Sequence, residues 1–323
     1  MDALADVLDG VRARSAEFCR AVLEPPWALR IADGAALALA TVLRGHAWVV
    51  TDDAEPVLVR AGEVAVMRGP HPYTVGDDPG TAPALQVLAG NRVCTMDGAE
   101  VPAAEALGRR PAERAGYRDP GGTTVLASGT YQVGGDIGAR LLTALPAVVH
   151  VPSSPAVAPV LALLGAELER DEPGQSVVLD RLLDLALIAG LRAWFARPEA
   201  QAPGWYRALS DPVVGPALRL VHDDPAHPWT LAELATRSGA SRAAFARRFT
   251  ALVGAPPMTY VTGWRLTLAA DLLRQTDATV ETIARRVGYA NAFALSVAFK
   301  RVRGTTPRTH RLGPAAPGRA DPG

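Results

Sequence analysis

Two arginines stand out for the chemistry that their spacing allows. In the segment SRAAFARRF, Phe245 and Phe249 lie four residues apart, so on a helix they share one face. That face is expected to turn inward, which leaves Arg242 and Arg247 on the outer face. An exposed guanidinium group can donate two parallel hydrogen bonds to a guanine edge or to a phosphate. The segment therefore predicts a helix that contacts nucleic acid.

This segment belongs to an internal duplication. At an offset of 49, the matching apolar and glycine positions are Leu231, Leu234, Ala235 and Gly239 with Val280, Ile283, Ala284 and Gly288. At an offset of 50, after one inserted residue, they are Phe245, Phe249, Gly254 and Pro257 with Leu295, Phe299, Gly304 and Pro307. Two copies of one supersecondary unit are expected.

Each copy is predicted to be a helix, a glycine turn and a second helix. In the first copy, Thr230 and Glu233 have the spacing of a capping box. Gly239 supplies the turn, and Ser241 is expected to cap the helix that follows. In the second copy, Asn291 is the expected cap.

The second helices of the two copies present different outer faces. In the first copy the outer residues are Arg242, Ala243, Ala246 and Arg247. In the second copy Leu295, Phe299 and Val302 are expected to face inward. The outer residues there are Ala292, Phe293, Ser296, Val297 and Lys300. Arg248, Arg285 and Arg286 are equally compatible with DNA contact and with a solvated surface.

The two units are predicted to be joined by one continuous helix over Met258–Gln275. Its expected buried positions are Val261, Trp264, Leu268, Leu272 and Leu273. A helical spacer fixes the separation of the two outer faces. Both can enter one face of a DNA duplex if they lie about 34 Å apart, and otherwise the DNA must bend.

Charge is distributed unevenly over the 323 residues, although the formal net charge is zero. Residues 1–212 contain 18 Arg against 26 Asp and Glu, whereas residues 213–323 contain 14 Arg and one Lys against 7 acids. The basic part is the candidate for a polyanionic partner. The length and an apolar content of 49% predict two globular domains.

The chain before residue 200 has a different pattern of apolar residues. Short apolar runs between Gly, Pro and Asp clusters over residues 28–92 predict a β-sandwich or barrel. Residues 155–197 predict two antiparallel amphipathic helices with a break at Pro173–Gly174. The expected boundaries are 1–150 for the β domain, 151–200 for the helical pair, 201–212 for a linker, 213–312 for the helical domain and 313–323 for a disordered tail.

The N-terminus carries Asp2, Asp6 and Asp9 where a secretory signal would need positive charge. No apolar stretch approaches membrane-spanning length. A cytoplasmic protein with no membrane partner is therefore expected.

The stretch Trp229–Arg311 resembles the DNA-binding domain of the AraC/XylS family of bacterial regulators. The motifs that carry the resemblance are WTLAELA, SRAAFARRF, GAPPMTYV, WRLTLAADLL, TIARRVGYAN, AFKRVRGTTP and the closing HR. The resemblance implies a sequence-specific transcription regulator with a double helix-turn-helix domain that binds a double-stranded DNA operator. It also implies a signal received at the N-terminal domain, and RNA polymerase as a partner if the protein is an activator.

The resemblance assigns base-reading positions residue by residue. In the first unit they fall on Ala243, Ala246 and Arg247, and in the second on Ala292, Phe293, Ser296 and Val297. Val297 stands where an Arg is frequent in the family, and Phe293 where a polar residue is usual. The second unit is thus expected to contact thymine methyl groups and phosphates, with Ser296 and Lys300 as its polar contacts.

The segments PWALRI, GHAWVV and RAGEVAVMRGPHP resemble the cupin-like effector domain of one branch of these regulators. The expected fold is therefore α+β, with an N-terminal cupin-like β-sandwich, a helical pair and a C-terminal all-α double helix-turn-helix domain. A cupin metal site needs three or four converging His and Glu ligands. Only His71, and less plausibly His46 and Glu63, could contribute, and Ala40 stands where another His would be sought.

No metal and no cofactor are therefore expected, and the chain is not expected to be an enzyme. The alternative, a cupin-type metal-dependent enzyme fused to a DNA-binding domain, requires a complete ligand set. His71, Trp48 and Tyr73 are instead candidates for lining a small-molecule effector pocket, although they are also compatible with core and rim positions.

Cys19 and Cys94 are the only cysteines. Cys19 lies where some reactive-chlorine-sensing members of the resembling branch carry a redox cysteine, and Cys94 lies near the position of its partner. The two thiols are candidates for a redox switch. The other interpretation is that both are small buried hydrophobic residues.

The helical pair carries a broader apolar stripe than one sandwich edge needs to cover. Homodimerisation through Leu182, Leu185 and Leu187 is one interpretation, and packing within the domain is the other.

Overall fold

The computed structural model describes residues 19–107, 124–131, 133, 135–170, 172–197, 200 and 204–312. The chain divides into two compact units. One contains the described residues up to 200 apart from 135–141, and the other contains 135–141 together with 204–312. The expected disordered tail, 313–323, lies outside the described residues, and so do residues 1–18 of the expected β domain. None of the described helices combines the length and the hydropathy that crossing a membrane requires.

The N-terminal unit contains the predicted β-sandwich. Its strands are β1 (Cys19–Leu23), β2 (Ala28–Ala32), β3 (Leu37–Arg44), β4 (His46–Thr51), β5 (Ala54–Arg60), β6 (Val64–Arg68), β7 (Tyr73–Gly76), β8 (Leu85–Leu88), β9 (Arg92–Thr95), β10 (Glu100–Val101), β11 (Thr124–Tyr131) and β12 (Val148–Val151). One sheet has the order β1-β11-β3-β6-β12, and the other has the order β10-β9-β8-β2-β7-β4-β5. Pairing between these strands is antiparallel except between β2 and β8.

The core of the sandwich is formed by alternate residues of the strands, because successive side chains of a strand point to opposite faces. Along β4, Ala47 and Val49 are buried, and Val49 pairs with the buried Val75 of β7. Leu29 of β2 and Met67 of β6 belong to the same apolar cluster. Two short helices, α1 (Ala103–Ala106) and α2 (Gly135–Ala144), follow β10 and β11 along the chain.

The predicted helical pair is present as α3 (Ala158–Leu168) and α4 (Gln175–Phe195), which pack against each other. The break between them ends at Gly174, whose φ of 89° suits a residue without a side chain. Leu183 and Leu187 of α4 are buried, whereas Leu185 is 46% exposed. The expectation that Leu187 lies on a surface for dimerisation is therefore wrong, because its side chain packs inside the unit.

The helices of the C-terminal region are α5 (Gly204–Leu209), α6 (Val214–Asp223), α7 (Leu231–Arg237), α8 (Arg242–Val253), α9 (Pro257–Gln275), α10 (Val280–Arg286), α11 (Ala292–Arg303) and α12 (Pro307–Leu312). The duplication is visible in their lengths: α7 and α10 have 7 residues each, and α8 and α11 have 12 each. The stretch expected as a linker, 201–212, contains α5, which packs against α8.

Candidate nucleic-acid interface

Helix α8 is fixed by a cap at its start and by aromatic residues on its back. The Ser241 hydroxyl accepts a hydrogen bond from the Ala244 amide at 3.3 Å, as the sequence predicts. Phe245 and Phe249 are fully buried and their rings contact each other. One face of α8 is thereby held against the unit, and the other face is free to meet a duplex.

The outer face of α8 carries the predicted residues. Arg242, Ala243 and Arg247 are exposed, and Ala246 between them is half-buried. Small side chains beside the arginines allow the helix backbone to approach a groove closely. Arg242 and Arg247 thus lie exposed on the outer face of α8, as the sequence predicts.

Arg248 differs from its neighbour Arg247. Its Nε and Nη2 donate to the carboxylate of Asp211 at 2.7–3.0 Å. The same carboxylate accepts the Val213 and Val214 amides, both at 2.9 Å, at the start of α6. Arg248 therefore ties α8 to α6, which favours the structural interpretation of this arginine over DNA contact.

Asp211→Asn tests this tie through its pH dependence. Hydrogen bonds from Arg248, above all, and from two backbone amides hold the pKa of Asp211 at about 2. A pKa below the ordinary value stabilises the folded state above pH 4 and loses that contribution as pH falls towards 2. Because Arg248 is half exposed, solvent screens the pair, and we expect the substitution to cost about 1 kcal/mol at neutral pH.

Urea unfolding between pH 7 and pH 2.5 measures the effect. The difference between wild type and Asp211→Asn is expected to shrink as the pH falls. Asp277→Asn, which changes an exposed aspartate of the same unit, serves as the control and should track the wild type. A difference that stays constant over the whole pH range would contradict the assignment.

Helix α11 has two caps at its start. Asn291 Oδ1 accepts the Ala294 amide at 2.9 Å, as the sequence predicts. Glu281 of α10 adds a second acceptor, since its Oε2 receives the Ala292 amide at 2.8 Å while its Oε1 pairs with Arg285. The Ala292 amide, followed by Arg285, lowers the pKa of Glu281 below its ordinary value. Position 232 of the first unit, which corresponds to 281, is alanine, so this second cap is specific to α11.

The outer face of α11 is largely apolar. Phe293 is 79% exposed and Val297 is 54% exposed, and Lys300 is exposed at the far end. Ser296 is half-buried, and its hydroxyl donates to the Ala292 carbonyl at 2.7 Å. While this hydrogen bond is kept, the Ser296 oxygen can accept a hydrogen bond, for example from a base amino group.

Two details of the helix-turn-helix units differ from the expectations. Val302 is 53% exposed, so its predicted inward position is wrong. The capping box is half formed: Thr230 accepts the Glu233 amide at 3.1 Å, but the Glu233 carboxylate bonds His227 and Arg237. The linking helix α9 is present, with Val261, Trp264 and Leu273 buried and Leu268 and Leu272 half-buried.

Sequence reasoning missed three residues that hold the units together: Asp211, Glu281 and Arg265. The contacts of Asp211 and Arg265 join residues 37 to 40 positions apart, which no local pattern reveals. Glu281 alone had a signal, because an acid in the first turn of a helix is a common partner for nearby amides.

The three candidates for an effector pocket in the sandwich are not brought together. Tyr73 is buried in the core, where burial raises the pKa of its hydroxyl. Trp48 points away from the core and lines a shallow groove with His46, Leu58 and Arg60. His71 is exposed. The strand alternation that buries Val49 is what places Trp48 on the opposite face from Tyr73.

The candidate metal ligands are likewise dispersed. His46 Nε2 lies 3.2 Å from the Asp77 carbonyl, and Glu63 pairs with His150 Nε2 at 2.9 Å. Across the described part of the chain, no three His, Cys, Asp or Glu side chains are grouped as a metal site would need.

The two cysteines belong to different sheets. Cys94 is a buried free thiol in β9. Cys19 pairs through its backbone with Ser128 of β11, and its side chain lies outside the described part of the chain. A redox switch remains a prediction from the sequence.

Comparisons with known proteins cover both units. A cupin family model matches residues 2–196, and a helix-turn-helix domain model matches residues 234–312. An AraC-like transcription regulator of Streptomyces lividans is 35% identical over 322 residues, which is 98% of this chain and 100% of that protein. The transcriptional regulator AlkR of Acinetobacter baylyi is 26% identical over 317 residues, or 96% of this chain and 99% of AlkR. Among solved structures, one similar chain is the DNA-binding domain of AdpA, a global transcriptional factor, in complex with a target DNA. The two chains are 30% identical, and the match covers 32% of this chain and 92% of the AdpA chain, with a TM-score of 0.31.

Proposed function

This chain belongs to the AraC family of transcription regulators, and we propose from that premise that its two recognition helices contact the operator in different ways. Its cupin domain is the effector domain, and its helix-turn-helix domain binds DNA. The full-length relatives are transcription regulators rather than enzymes, which sets aside the alternative of a metal-dependent cupin enzyme. We call α8 the first recognition helix and α11 the second.

The observation that carries the proposal is the contrast between the two outer faces. The first recognition helix exposes Arg242 and Arg247, whose guanidinium groups can donate to guanine N7 and O6. The second exposes Phe293 and Val297, which match thymine methyl groups and sugar carbons but offer no hydrogen bond. The first unit therefore supplies most of the sequence discrimination, and the second fixes the register of the protein on the duplex.

Lys300 is assigned to a phosphate, because it is an exposed cation three residues after Val297, next to the apolar outer face of the second recognition helix. Lys300→Ala is expected to weaken binding to the operator and to a scrambled duplex by the same factor. The slope of log Kd against log salt should fall by about one.

Fluorescence anisotropy titrations at several salt concentrations measure both quantities. Lys300→Arg retains the charge and should keep the wild-type slope. If Lys300→Ala changes affinity for the operator alone, the lysine reads bases and the phosphate assignment fails.

We also propose a second copy of the chain as a partner, seated on one side of α4. The residues on that side are spaced four, three and four apart, and they are Val178, Leu182, Leu185 and Ala189. Val178 and Leu185 are exposed, and Leu182 and Ala189 are half-buried. This spacing is that of the seam between two packed helices.

Helix α3, which packs against α4, also has exposed apolar residues. Its exposed residues up to position 166 are all apolar: Ala158, Pro159, Ala162, Leu163 and Ala166. Exposed apolar side chains on both helices of a pair favour an interface with another molecule. When two copies pair about a two-fold axis, the apolar side of each copy is covered by the same side of the other copy.

A further inference from the structure

The middle of the linking helix α9 carries an arginine whose side chain leaves the helix and joins the first helix-turn-helix unit. Arg265 Nε donates to the Pro225 carbonyl at 2.7 Å, and its Nη2 donates to the His227 carbonyl at 2.6 Å. Both carbonyls lie in the loop between α6 and α7, so Arg265 fastens α9 to the entrance of the first unit.

That loop is itself firmly held. The His227 amide bonds the Asp224 carboxylate at 3.0 Å, and the Trp229 indole donates to the Asp224 carbonyl at 2.8 Å. The His227 ring pairs with Glu233 of α7 at 2.9 Å and packs on Trp229. A guanidinium bonded to this loop is therefore bonded to a rigid part of the first unit.

The turn of the second helix-turn-helix unit meets the same guanidinium. Gly288, between α10 and α11, has a φ of 81°. A Cβ at this position would lie 2.8 Å from Arg265 Nη2 and 2.9 Å from the Ala226 carbonyl oxygen. Only a glycine allows the turn to pack this closely on both groups. The α9 helix, the loop of the first unit and the turn of the second thus meet at one side chain.

The local electrostatics agree with a structural role for the charge. Burial lowers the pKa of the Arg265 guanidinium, while Tyr289 and Asp224 oppose that shift. Two carbonyl acceptors satisfy the half-buried cation, and the planar fork reaches both at once. A lysine at this position has one compact charged group and cannot hold both carbonyls in the same way.

We propose that Arg265 is a positioning residue that sets the spacing between the two DNA segments, here called boxes, contacted by the two recognition helices. Helix α9 is roughly 28 Å long at 19 residues. Trp264 in its first half packs on His222 of α6, and Leu273 in its second half belongs to the apolar core of the second unit. Arg265 lies between these two sets of contacts and connects the units directly, so it limits how far one unit can turn relative to the other. The proposal rests on the proposed function, since it assumes that both recognition helices meet DNA.

The test uses the full-length protein and its operator, mapped by footprinting. Three duplexes are compared: the native operator, the operator with one base pair inserted between the boxes, and a duplex with only the box of the first unit. One inserted base pair rotates the second box by about a tenth of a helical turn. We expect the wild type to bind the operator with the inserted base pair at least about tenfold more weakly than the native operator. A loss of this size is typical of one mismatched base pair in a binding site.

Arg265→Ala is expected to bind the native operator about 5- to 20-fold more weakly than the wild type. Its penalty for the inserted base pair should fall to within about threefold, because a flexible pair of units adapts to either spacing. Its affinity for the single-box duplex should equal that of the wild type. Arg265→Lys retains the charge and disturbs the fold less than Arg265→Ala does. It should show the same loss of spacing preference.

Arg274→Ala is the matched control, because it removes an exposed arginine from the same helix, and it should behave as the wild type. Three outcomes overturn the proposal. The first is a wild type that binds both spacings equally well, and the second is an Arg265→Lys variant that loses as much affinity on the insertion as the wild type. The third is that both Arg265 variants lose the same affinity for the single-box duplex as for the native operator. Failure of the proposed function is tested separately. In that case Arg247→Ala would bind the single-box duplex as tightly as the wild type.

Discussion

Replacing Arg247 with alanine is expected to weaken binding to the operator by about 5- to 150-fold, which corresponds to about 1–3 kcal/mol. Arg247 is exposed on the first recognition helix, beside the small side chain of Ala246. An arginine there can donate both hydrogen bonds of its fork to one guanine, and alanine can donate none. The substitution should also relax the preference for one base pair, at the position that the guanidinium contacts.

Anisotropy titrations on the native operator and on duplexes with each box position changed in turn measure both effects. Arg248→Ala is the matched control, since it removes the same charge one residue further along. Because Arg248 is bound to Asp211, we expect this control to reduce stability while leaving base preference intact. If Arg247→Ala has the wild-type isotherm on every duplex, the assignment of base reading to Arg247 is wrong.

Leu185→Glu is expected to raise the dissociation constant of the dimer by more than 100-fold. A carboxylate on the seam of α4 would be buried without a partner, which costs about 3 kcal/mol or more per site. A two-fold interface contains the change twice, so the penalty is paid at both copies. Sedimentation velocity at micromolar concentration should show a dimer for the wild type and a monomer for the variant.

Ser176→Glu introduces the same charge near the start of α4, on a different side from Leu185, and should leave the dimer intact. The circular dichroism of both variants should match the wild type, because both positions are exposed in the single chain. A wild type that sediments as a monomer at micromolar concentration contradicts the proposed dimer.

Local sequence signals predicted the helix-turn-helix units in detail. Ser241 and Asn291 cap the helices that their positions indicated, and the apolar spacing identified Phe245 and Phe249 as buried. These features depend on neighbours within one or two helical turns. Periodicity failed at Val302, where the last turn of α11 extends past the core and its next apolar position faces water.

Long-range contacts were beyond the reach of the sequence. Nothing near Arg265 in the chain indicates that it bonds carbonyls 38 and 40 residues away. In the sandwich, the error was one of register. Trp48 and Tyr73 were taken together for their chemistry, but alternation along β4 and β7 puts them on opposite faces of the sheet. Their separation follows from the pairing of Trp48 with Gly76, which only the strand register reveals.

The second cap on α11, supplied by Glu281, has a consequence for how the chain lies on DNA. The two units follow each other in the same direction along the chain, and this cap is present in the second unit alone. A DNA sequence bound by one such chain therefore has no internal two-fold symmetry. Reversing the DNA segment that one chain binds therefore also reverses that chain on the duplex. The orientation of that segment is therefore expected to decide which of the two units lies nearer to the start of transcription.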